Sequence, residues 1–445
     1  MRRRGNLRAG SADVVVIGAG HSGLAMSHSL AARGIDHVVL ERGVVANSWV
    51  NERWDSLRLL TPNWQSSLPG YRYSGADPDG YMSMPDVIDF IQGYARHTAA
   101  PVITNTEVIS LQSDVAGYRM VTNQGQLRAR AVVVASGAFN QPSVPAISKF
   151  IPAEIAQLTP REYRNPTQLD PGGVLVVGGS ATGLQLADEI HASGRPVTLA
   201  VGEHVRMPRV YRGKDIQHWM HVVGLSDEHY RAIDDIERAR RVPSPQLIGS
   251  NSGRMLDLNA LQQAGVRLSG KLAAVRDGKL QFSGGLRNVC ALADLKMNRL
   301  LERIDAWVSA HDAVAKATPA ERFAPTAVDA SPCLELDPKS AGITTVIWAT
   351  GFRPDYSWLQ LPVLDHKGRI RHDGGIVDPG LVVMGLPYLR RRKSSFIHGA
   401  EDDARDLSLH LAGHLDATAL RDQFRVGARG LPPTPCMLPG LAGRA

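Results

Sequence analysis

The chain has 445 residues, of which 43% are hydrophobic and 21% are charged, proportions typical of a globular protein of two or three domains. Its formal net charge is +7, but no basic stripe is interleaved with aromatic residues, so the sequence predicts no nucleic-acid partner. The three cysteines lie far apart and form no C-x-x-C pair, which argues against a dithiol redox centre and for a reducing compartment. No apolar run approaches the roughly 20 residues that span a bilayer. These totals predict a cytoplasmic protein without a membrane span.

Three consecutive segments near the N-terminus predict a βαβ unit. Val14–Gly18 is an apolar run typical of a buried strand, and Ser22–Arg33 has the pattern of a helix that ends before Gly34. Val38–Glu41 then predicts a second strand. A strand, a helix and a strand in this order indicate a parallel sheet covered by helices, which is an α/β fold.

The turn between the first strand and its helix reads GAGHSG at 18–23, a complete G-x-G-x-x-G motif. Gly18 permits the tight turn, Gly20 lets a pyrophosphate approach the backbone, and Gly23 allows the helix to pack on the strand. Free N–H groups at the helix start attract phosphate charge. Glu41, at the end of the next strand, can accept both ribose hydroxyls of an adenosine and would repel a 2′-phosphate. This first glycine turn therefore predicts a dinucleotide site for a ligand without a 2′-phosphate.

A second strand–turn–helix unit begins at Val174, with the turn GGSATG at 178–183. Ser180 stands where the strict motif has its second glycine, so the ligand either lies slightly farther out or bonds the serine hydroxyl. The acidic residue is also missing, because the position that corresponds to Glu41 is Val201. This second glycine turn therefore predicts a second dinucleotide site of a different kind.

Three arginines, Arg206, Arg209 and Arg212, follow the second unit. The missing acid together with nearby arginines suits a 2′-phosphate, and hence NADPH rather than NADH. Each arginine taken alone could equally be a solvated surface charge, so the group is better evidence than any member. Two dinucleotide sites in one chain imply electron transfer between them, with FAD in the first site and NADPH in the second.

The remaining elements are predicted from shorter patterns. Residues 44–85 are rich in Trp, Pro, Tyr and Gly without periodicity, which indicates a long functional loop or cap. The other expected elements are a helix at 87–95, strands within 107–135, a strand pair at 272–282, a long helix at 290–311, buried strands at 344–351 and 381–385, and a final helix at 400–415. The region from 202 to 271 is polar and has no clear pattern.

Seven stretches carry a family resemblance: VVVIGAGHSGLA, VVLERGVVANSW, WDSLRLLTPNWQSSLPGY, VVVASG, VLVVGGSATG, VIWATGFRPD and GLVVMGLPYLRRRKSS. Taken together, they resemble the flavin-containing monooxygenase-like flavoproteins, the class B flavoprotein monooxygenase group, over nearly the whole chain. The resemblance implies an α/β fold with two dinucleotide-binding, Rossmann-like three-layer domains. In that arrangement the FAD domain is discontinuous, and the NADPH domain is inserted into it.

The resemblance also gives expected domain boundaries. The FAD-binding domain is expected at 12–165 and 342–426, and the NADPH-binding domain, with a helical insertion, at 166–341. A loose, disordered tail is expected at 1–11, and a Pro/Gly-rich tail at 427–445.

Individual roles are implied in the same way. Asn63 lies where related enzymes place an asparagine beside the flavin, which makes it the candidate catalytic residue, although an asparagine after Pro62 is also typical of a plain turn. Thr350 and Gly351 lie in the stretch similar to the family's second link between the domains. The residues expected to bind the cofactors are Gly18, Gly20, His21, Ser22, Gly23, Glu41, Arg42, Trp49, Ala135, Gly137, Gly178, Ser180, Thr182, Gly183, Arg206, Arg209, Thr350 and Gly351. No metal-ligand spacing is visible in the sequence, and no metal is expected.

The implied activity is an FAD-dependent, NADPH-using monooxygenase that oxygenates a small-molecule nitrogen or sulfur nucleophile with dioxygen through a C4a-(hydro)peroxyflavin. One departure leaves alternatives open. The family fingerprint F-x-G-x-x-x-H-x-x-x-Y retains only Tyr163, because Ala153, Ile155 and Thr159 occupy its other positions. The alternatives are a flavin oxidase or NAD(P)H-dependent reductase without oxygen insertion, and a non-catalytic flavin- and nucleotide-binding regulatory protein. A homodimer is the default expectation for assembly.

Overall fold

The structure is a computed structural model that describes residues 10–250, 252–311 and 318–429. Within these ranges, no helix combines the length and the apolar character needed to cross a bilayer. The two predicted tails lie almost entirely outside the described residues.

Strands and helices alternate along most of the described chain. The strands are β1 (Ser11–Ile17), β2 (His37–Leu40), β3 (Ser67–Leu68), β4 (Tyr71–Arg72), β5 (Val102–Ile103), β6 (Val108–Asp114), β7 (Gly117–Thr122), β8 (Gly125–Val134), β9 (Gln141–Pro142), β10 (Ala156–Leu158), β11 (Gly173–Val177), β12 (Val197–Val201), β13 (Val210–Tyr211), β14 (Lys214–Asp215), β15 (Arg267–Gly270), β16 (Leu272–Arg276), β17 (Lys279–Phe282), β18 (Glu335–Leu336), β19 (Ile343–Trp348), β20 (Phe352–Arg353), β21 (Ile376–Asp378) and β22 (Leu381–Val383). The helices are α1 (His21–Ala32), α2 (Asn47–Asn51), α3 (Met84–His97), α4 (Ala181–Ala192), α5 (Ile216–Val222), α6 (Ile236–Ala239), α7 (Leu258–Ala264), α8 (Leu286–Ala310) and α9 (Ala400–Arg429).

The first sheet joins strands from both ends of the chain. Its main order is β21-β22-β8-β1-β2-β5, with β7 pairing β8 and β6 pairing β7. The central strand β1 runs parallel to β2 and β8, and β22 runs parallel to β8. Val14, Val15 and Val16 of β1 are fully buried, as expected for a parallel sheet covered on both faces. Helix α9 packs against α1, so the last helix completes the domain that the first strand begins.

The second sheet is formed by the parallel strands β10-β19-β11-β12-β15. Leu184 and Ile190 of α4 pack with Val174 and Val176 in one core beside this sheet. The antiparallel strands β16, β17 and β18 cover the other face, in a core that includes Trp348. Two parallel-sheet domains of dinucleotide-binding type, the second inserted into the first, confirm the predicted fold class.

The chain crosses between the two sheets through β9 and β20, which pair antiparallel with each other. Strands β10 and β19 belong to the second sheet, whereas the expected boundaries at 165 and 342 placed both with the first. A buried apolar strand such as β19 carries no mark of the sheet it joins, because both sheets require the same residue types. We therefore propose that the inserted domain extends from about residue 143 to about residue 350.

The polar region at 202–271 contains helices and a sheet strand that the sequence did not predict. It forms α5, α6, α7 and β15, and β15 completes the second sheet beside β12. These elements have four to seven residues each, too few for a periodic pattern to show. In contrast to these short elements, the last helix is longer than predicted: α9 continues to Arg429, beyond the expected end at 415.

Candidate functional site

Steric contact explains two of the glycines in the first turn. Gly18 has a φ of +110°, and a Cβ atom there would lie 2.5 Å from the carbonyl oxygen of Ala135. A Cβ atom at Gly23 would lie 1.9 Å from the carbonyl oxygen of Gly18, so only glycine lets α1 pack this closely. Gly20, in contrast, has no atom within 4 Å of its Cβ position. The first turn is thus packed against protein at two glycines and open at the third.

The second turn repeats this construction. Gly178 has a φ of +123°, and its Cβ position is 2.3 Å from the carbonyl oxygen of Ala349. The Cβ position of Gly183 lies 1.7 Å from the carbonyl oxygen of Gly178. Ser180, at the open position, is the residue before α4, and its hydroxyl makes no capping bond with the helix. That hydroxyl is therefore free to bond a ligand.

The acid after the second strand distinguishes the two turns. Glu41 is 7% exposed, and its two carboxylate oxygens accept hydrogen bonds from Ala19 N at 2.8 Å and Gly43 N at 3.0 Å. Its counterpart Val201 is 1% exposed. The Cγ1 atom of Val201 lies 2.9 Å from the point where a Cβ atom on Gly179 would be. The second turn therefore has a buried methyl group where the first has a carboxylate.

A single cavity of about 1950 Å³ contacts both glycine turns. Three polar atoms beside the first turn are inaccessible and have no partner among the described residues: His21 Nε2, Ser22 Oγ and Ser136 Oγ. All three residues line the cavity. Unpaired buried polar atoms are costly, so their gathering at a helix N-terminus fits a bound pyrophosphate group. The residues of the first turn thus fit the predicted dinucleotide.

His21 is the titratable group of the first turn. Burial lowers its pKa to about 4, because desolvation disfavours the charged imidazolium. The ring is therefore neutral at physiological pH and can still donate one hydrogen bond.

Most of the predicted cofactor residues meet at this cavity. Those that line it are Gly18, Gly20, His21, Ser22, Glu41, Arg42, Trp49, Ala135, Gly137, Gly178, Ser180, Thr182, Thr350 and Gly351. Gly23 and Gly183 lie beneath their helices, in the packing positions expected of them. Thr350 Oγ1 donates to the carbonyl oxygen of Ser143 at 2.7 Å, which ties together the two links between the domains.

Arg206 is not placed as predicted. It is 3% exposed, and its guanidinium donates to Asp257 Oδ2 at 2.6 Å and to Asp294 Oδ1 at 2.7 Å. A third bond runs from Arg206 Nη1 to the carbonyl oxygen of Ala324 at 2.8 Å. Its charge is already neutralised inside the protein, so the predicted contact with a coenzyme phosphate is corrected: Arg206 is a structural residue.

Arg209 is corrected for the same reason. It is 1% exposed, and its two terminal nitrogens donate to Asp215 Oδ1 at 2.6 Å and to the carbonyl oxygen of Leu60 at 2.9 Å. The guanidinium also lies 4.9 Å from the ring centroid of Tyr81. Arg209 thus joins the 44–85 loop to the start of α5 and does not face the cavity.

Asn63 is the third correction. It is 5% exposed at the start of a short 3-10 helix, and its Nδ2 donates to the carbonyl oxygen of Asp77 at 2.9 Å. In this stretch the cavity wall is formed by Leu57, Arg58, Leu59, Leu60 and Thr61. The structure therefore brings the residues before Asn63 to the cavity and holds Asn63 within the loop, as the alternative of a turn residue implies.

The 44–85 loop supplies the apolar wall of the cavity. Trp49 lines it and lies beside Arg53, whose guanidinium carbon is 5.7 Å from the centroid of the indole ring. Trp54, which also lines the cavity, is 5% exposed and packs into the core of the second domain. Arg42, at the edge of the cavity, forms an ion pair with the buried Glu52, with an Nη2–Oε1 distance of 2.6 Å.

Some residues at the cavity were not found from the sequence. Ser136 follows the buried strand β8 within the stretch VVVASG, a signal that could have found it. Glu203 and Lys271 follow β12 and β15, and residues 239–245 and Leu247 form a further part of the wall. These lie in the region without periodicity, so no sequence signal pointed to them.

The cysteines of the described ranges are free thiols and form no disulfide. Burial raises the pKa of the Cys290 thiol to about 11, so this cysteine is protonated and unreactive at neutral pH. Cys333 is likewise free. The described ranges contain no group of histidine, cysteine and carboxylate side chains able to hold a metal ion.

Comparison with known proteins gives consistent results. A family model described as pyridine nucleotide-disulphide oxidoreductase matches residues 15–221. The uncharacterized CzcO-like oxidoreductase of Geobacillus kaustophilus (strain HTA426) is 32% identical over 406 residues, which are 90% of this chain and 99% of that protein. The indole-3-pyruvate monooxygenase YUCCA1 of Oryza sativa subsp. japonica is 31% identical over 206 residues, 44% of this chain and 49% of that protein. The solved flavin-containing monooxygenase of Stenotrophomonas maltophilia aligns with a TM-score of 0.60 and 22% identity, over 91% of this chain and 99% of that one.

The fold and the two glycine turns define a flavoprotein oxidoreductase with two dinucleotide sites. The chain belongs to the flavin-containing monooxygenase-like flavoproteins, as the resemblance predicted, and FAD and NADPH are the cofactors typical of that family. It is therefore a flavin-dependent oxidoreductase.

Proposed function

We propose that the chain is an FAD-dependent, NADPH-using monooxygenase that transfers oxygen from dioxygen to a nitrogen or sulfur nucleophile of a small molecule. One observation carries this proposal: a single cavity runs from the first glycine turn to the second. Two dinucleotides bound in one continuous space can bring their reactive rings together, which hydride transfer requires. When bound, the two cofactors supply hydride transfer and the activation of dioxygen.

In this proposal the first turn binds FAD. The backbone N–H groups at the start of α1, with His21 and Ser22, meet the pyrophosphate, and the open Gly20 lets it approach. Glu41 accepts hydrogen bonds from the ribose hydroxyls. The hydrogen bond that Ala19 N donates to Glu41 holds the carboxylate in place. Ala135 and Gly137 form the wall where β8 leads into the first link between the domains.

The second turn binds the nicotinamide coenzyme. Gly178 adds no side chain to the turn, and Ser180 and Thr182, both with hydroxyl groups, line the cavity at the start of α4. Thr350 and Gly351 lie at the end of the neighbouring strand β19 and border the same space. The unpaired backbone N–H groups at the start of α4 stabilise phosphate charge, as those at the start of α1 do in the first site.

Exclusion of water falls to the loop at 44–85. Trp49, Leu57, Leu59 and Leu60 line the cavity with apolar surface, which disfavours bulk water beside the reacting groups. The Arg209–Asp215 pair fixes this loop against α5 and so keeps the wall in place. The same apolar lining suits a small organic substrate.

A direct test records the visible spectrum of the purified protein, adds NADPH or NADH under argon, and then readmits air with a sulfide or amine substrate. A yellow protein that NADPH bleaches, and that on reoxidation forms an S- or N-oxide in proportion to the NADPH consumed, supports the proposal. A colourless protein that cannot be reconstituted with FAD would overturn it.

A second candidate is a flavin oxidase or NAD(P)H-dependent reductase without oxygen insertion. It is favoured by the position of Asn63, which is held within its loop by Asp77 and leaves the cavity wall without that amide. In this case the same experiment shows bleaching by the coenzyme followed by stoichiometric hydrogen peroxide and no oxygenated product.

A further inference from the structure

The carboxyl ends of β12 and β15 meet beside the second glycine turn. The strands are parallel neighbours in which Val201 pairs with Gly270. The next residues on each strand are therefore adjacent, and the Cβ position of Gly202 lies 4.0 Å from Lys271 Cγ. Gly202, Glu203 and Lys271 all line the cavity. In a dinucleotide-binding sheet, this edge receives the adenosine ribose.

Most other charged side chains of this stretch point inward. Arg206 and Arg209 form ion pairs with carboxylates inside the protein, as described above. His204 is 2% exposed, and its ring bonds the carbonyl oxygen of Gly202 at 3.0 Å. Burial lowers the pKa of His204, so it adds no positive charge. Arg206 and Arg209 are thus unable to bind a 2′-phosphate, and Arg212, the third arginine of the group, pairs with Asp305 at 2.7 Å.

Two side chains of opposite charge line the cavity at this edge, Glu203 and Lys271. The Glu203 side chain is 68% exposed and has Lys296 Nζ 3.6 Å from its Oε1. Lys271 is exposed, and it forms no ion pair with the residues that the structure describes. A ligand at this edge therefore meets one carboxylate, which Lys296 partly neutralises, and one ammonium group without a carboxylate partner among the described residues.

We propose that Lys271 and Glu203 decide recognition at the adenosine 2′ position of the nicotinamide coenzyme. Lys271 binds the 2′-phosphate of NADPH, and Glu203 accepts a hydrogen bond from the 2′-hydroxyl of NADH. Because the acid partly repels the phosphate that the lysine attracts, the site accepts both coenzymes. This inference rests on the proposed function, since it requires a nicotinamide dinucleotide in the second site.

The test is equilibrium binding of NADP⁺ and NAD⁺ to the purified flavin-loaded protein, by isothermal titration calorimetry at low and high salt. Both ligands should bind the wild type, with affinities within about tenfold of each other. Lys271→Ala should weaken NADP⁺ by about tenfold, the value of one charge-assisted bond, and leave NAD⁺ within about twofold. Lys271→Arg should retain NADP⁺ binding. Glu203→Gln should strengthen NADP⁺ and weaken NAD⁺. Added salt should reduce NADP⁺ binding more than NAD⁺ binding.

A matched control is Lys279→Ala, which removes another exposed lysine of the same domain, one that pairs with Glu335. It should change neither affinity. Equal effects of Lys271→Ala on NADP⁺ and NAD⁺, or no effect on either, would overturn the assignment and leave the proposed function standing. Failure of both coenzymes to bind the wild type would instead overturn the proposed function, and the inference with it.

Discussion

The two glycine turns share their packing and differ in what they offer a ligand. In both, the first glycine has a positive φ and faces a carbonyl oxygen of a neighbouring strand end, and the last glycine sits against the carbonyl oxygen of the first. The ligand-facing positions differ: Gly20, His21 and Glu41 in the first turn correspond to Ser180, Ala181 and Val201 in the second. The contacts between backbone and helix therefore fix which glycines are required, and the remaining positions are free to select the ligand.

The largest expected effect comes from adding a methyl group where each turn is tightest. Gly18→Ala places a Cβ atom 2.5 Å from the carbonyl oxygen of Ala135 and strains a φ of +110°, so we expect loss of FAD and of most folded protein. Gly178→Ala has the matching clash, 2.3 Å from the carbonyl oxygen of Ala349 and at a φ of +123°, so we expect a similar loss of folded protein. Because this clash lies beside the second sheet, we expect the protein that does fold to keep its flavin but not to be bleached by NADPH. Absorbance at the flavin maximum and stopped-flow reduction measure the two outcomes. Equal loss of flavin per folded protein in both variants would show that the turns do not serve separate cofactors.

Arg206→Ala tests the charges beside the second turn. Removing this guanidinium leaves Asp257 and Asp294 buried without their partner, which costs about 3–5 kcal/mol in the free energy of unfolding. Urea denaturation measures the loss. Arg254→Ala is the control, because that pair with Asp188 is more exposed and is worth about 0–1 kcal/mol. A folded, fully stable Arg206→Ala protein with selectively weakened NADP⁺ binding would restore the role predicted from the sequence.

The free energy of unfolding should depend on pH through His21 in the first turn, whereas its counterpart Ala181 in the second turn does not titrate. The pKa of His21 in the folded protein is lowered to about 4 from an ordinary 6.5, so between these values the unfolded chain binds a proton that the folded chain does not. Stability should therefore fall as pH falls through this window, by up to about 1.4 kcal/mol per pH unit for this group. His21→Asn should reduce the slope of unfolding free energy against pH between pH 6.5 and 4, whereas Ala181→Ser should leave it unchanged.

Ser180→Gly makes the second turn match the first at its open position. The backbone becomes accessible as at Gly20, while one hydroxyl contact is lost, so we expect the affinity for NADP⁺ and NAD⁺ to change by only a few-fold and in parallel. Calorimetric titration of both coenzymes measures it. A change confined to NADP⁺ would mean that Ser180 contacts the adenosine end and not the pyrophosphate.

The smallest expected effect is at Asn63. Because its amide donates to Asp77 O and does not reach the cavity, Asn63→Ala should leave the fraction of NADPH electrons released as hydrogen peroxide unchanged. The cost should be confined to stability, at about 1 kcal/mol for one lost hydrogen bond. Peroxide assay and urea denaturation report the two quantities. A marked rise in peroxide would place Asn63 in contact with the flavin.

The fold and the first site could be predicted because their signals are local. The glycines of each turn, the apolar strands and the offset of Glu41 lie within about 30 residues of sequence, the size of one βαβ unit. The errors arose where the answer depends on distant partners. Nothing near Arg206 shows that Asp257 and Asp294 will neutralise it, and nothing near Lys271 shows that β15 will lie beside β12.

The adjacent pairing of β9 and β20 has a consequence for how the two domains are joined. Since the chain leaves and rejoins the FAD domain at neighbouring points, the whole coenzyme domain is a cassette between Pro142 and Phe352. Replacing the inserted domain with a short loop would close the FAD domain without changing the order of the strands in its sheet. Such a layout lets the inserted domain be exchanged for another while the first sheet stays unchanged.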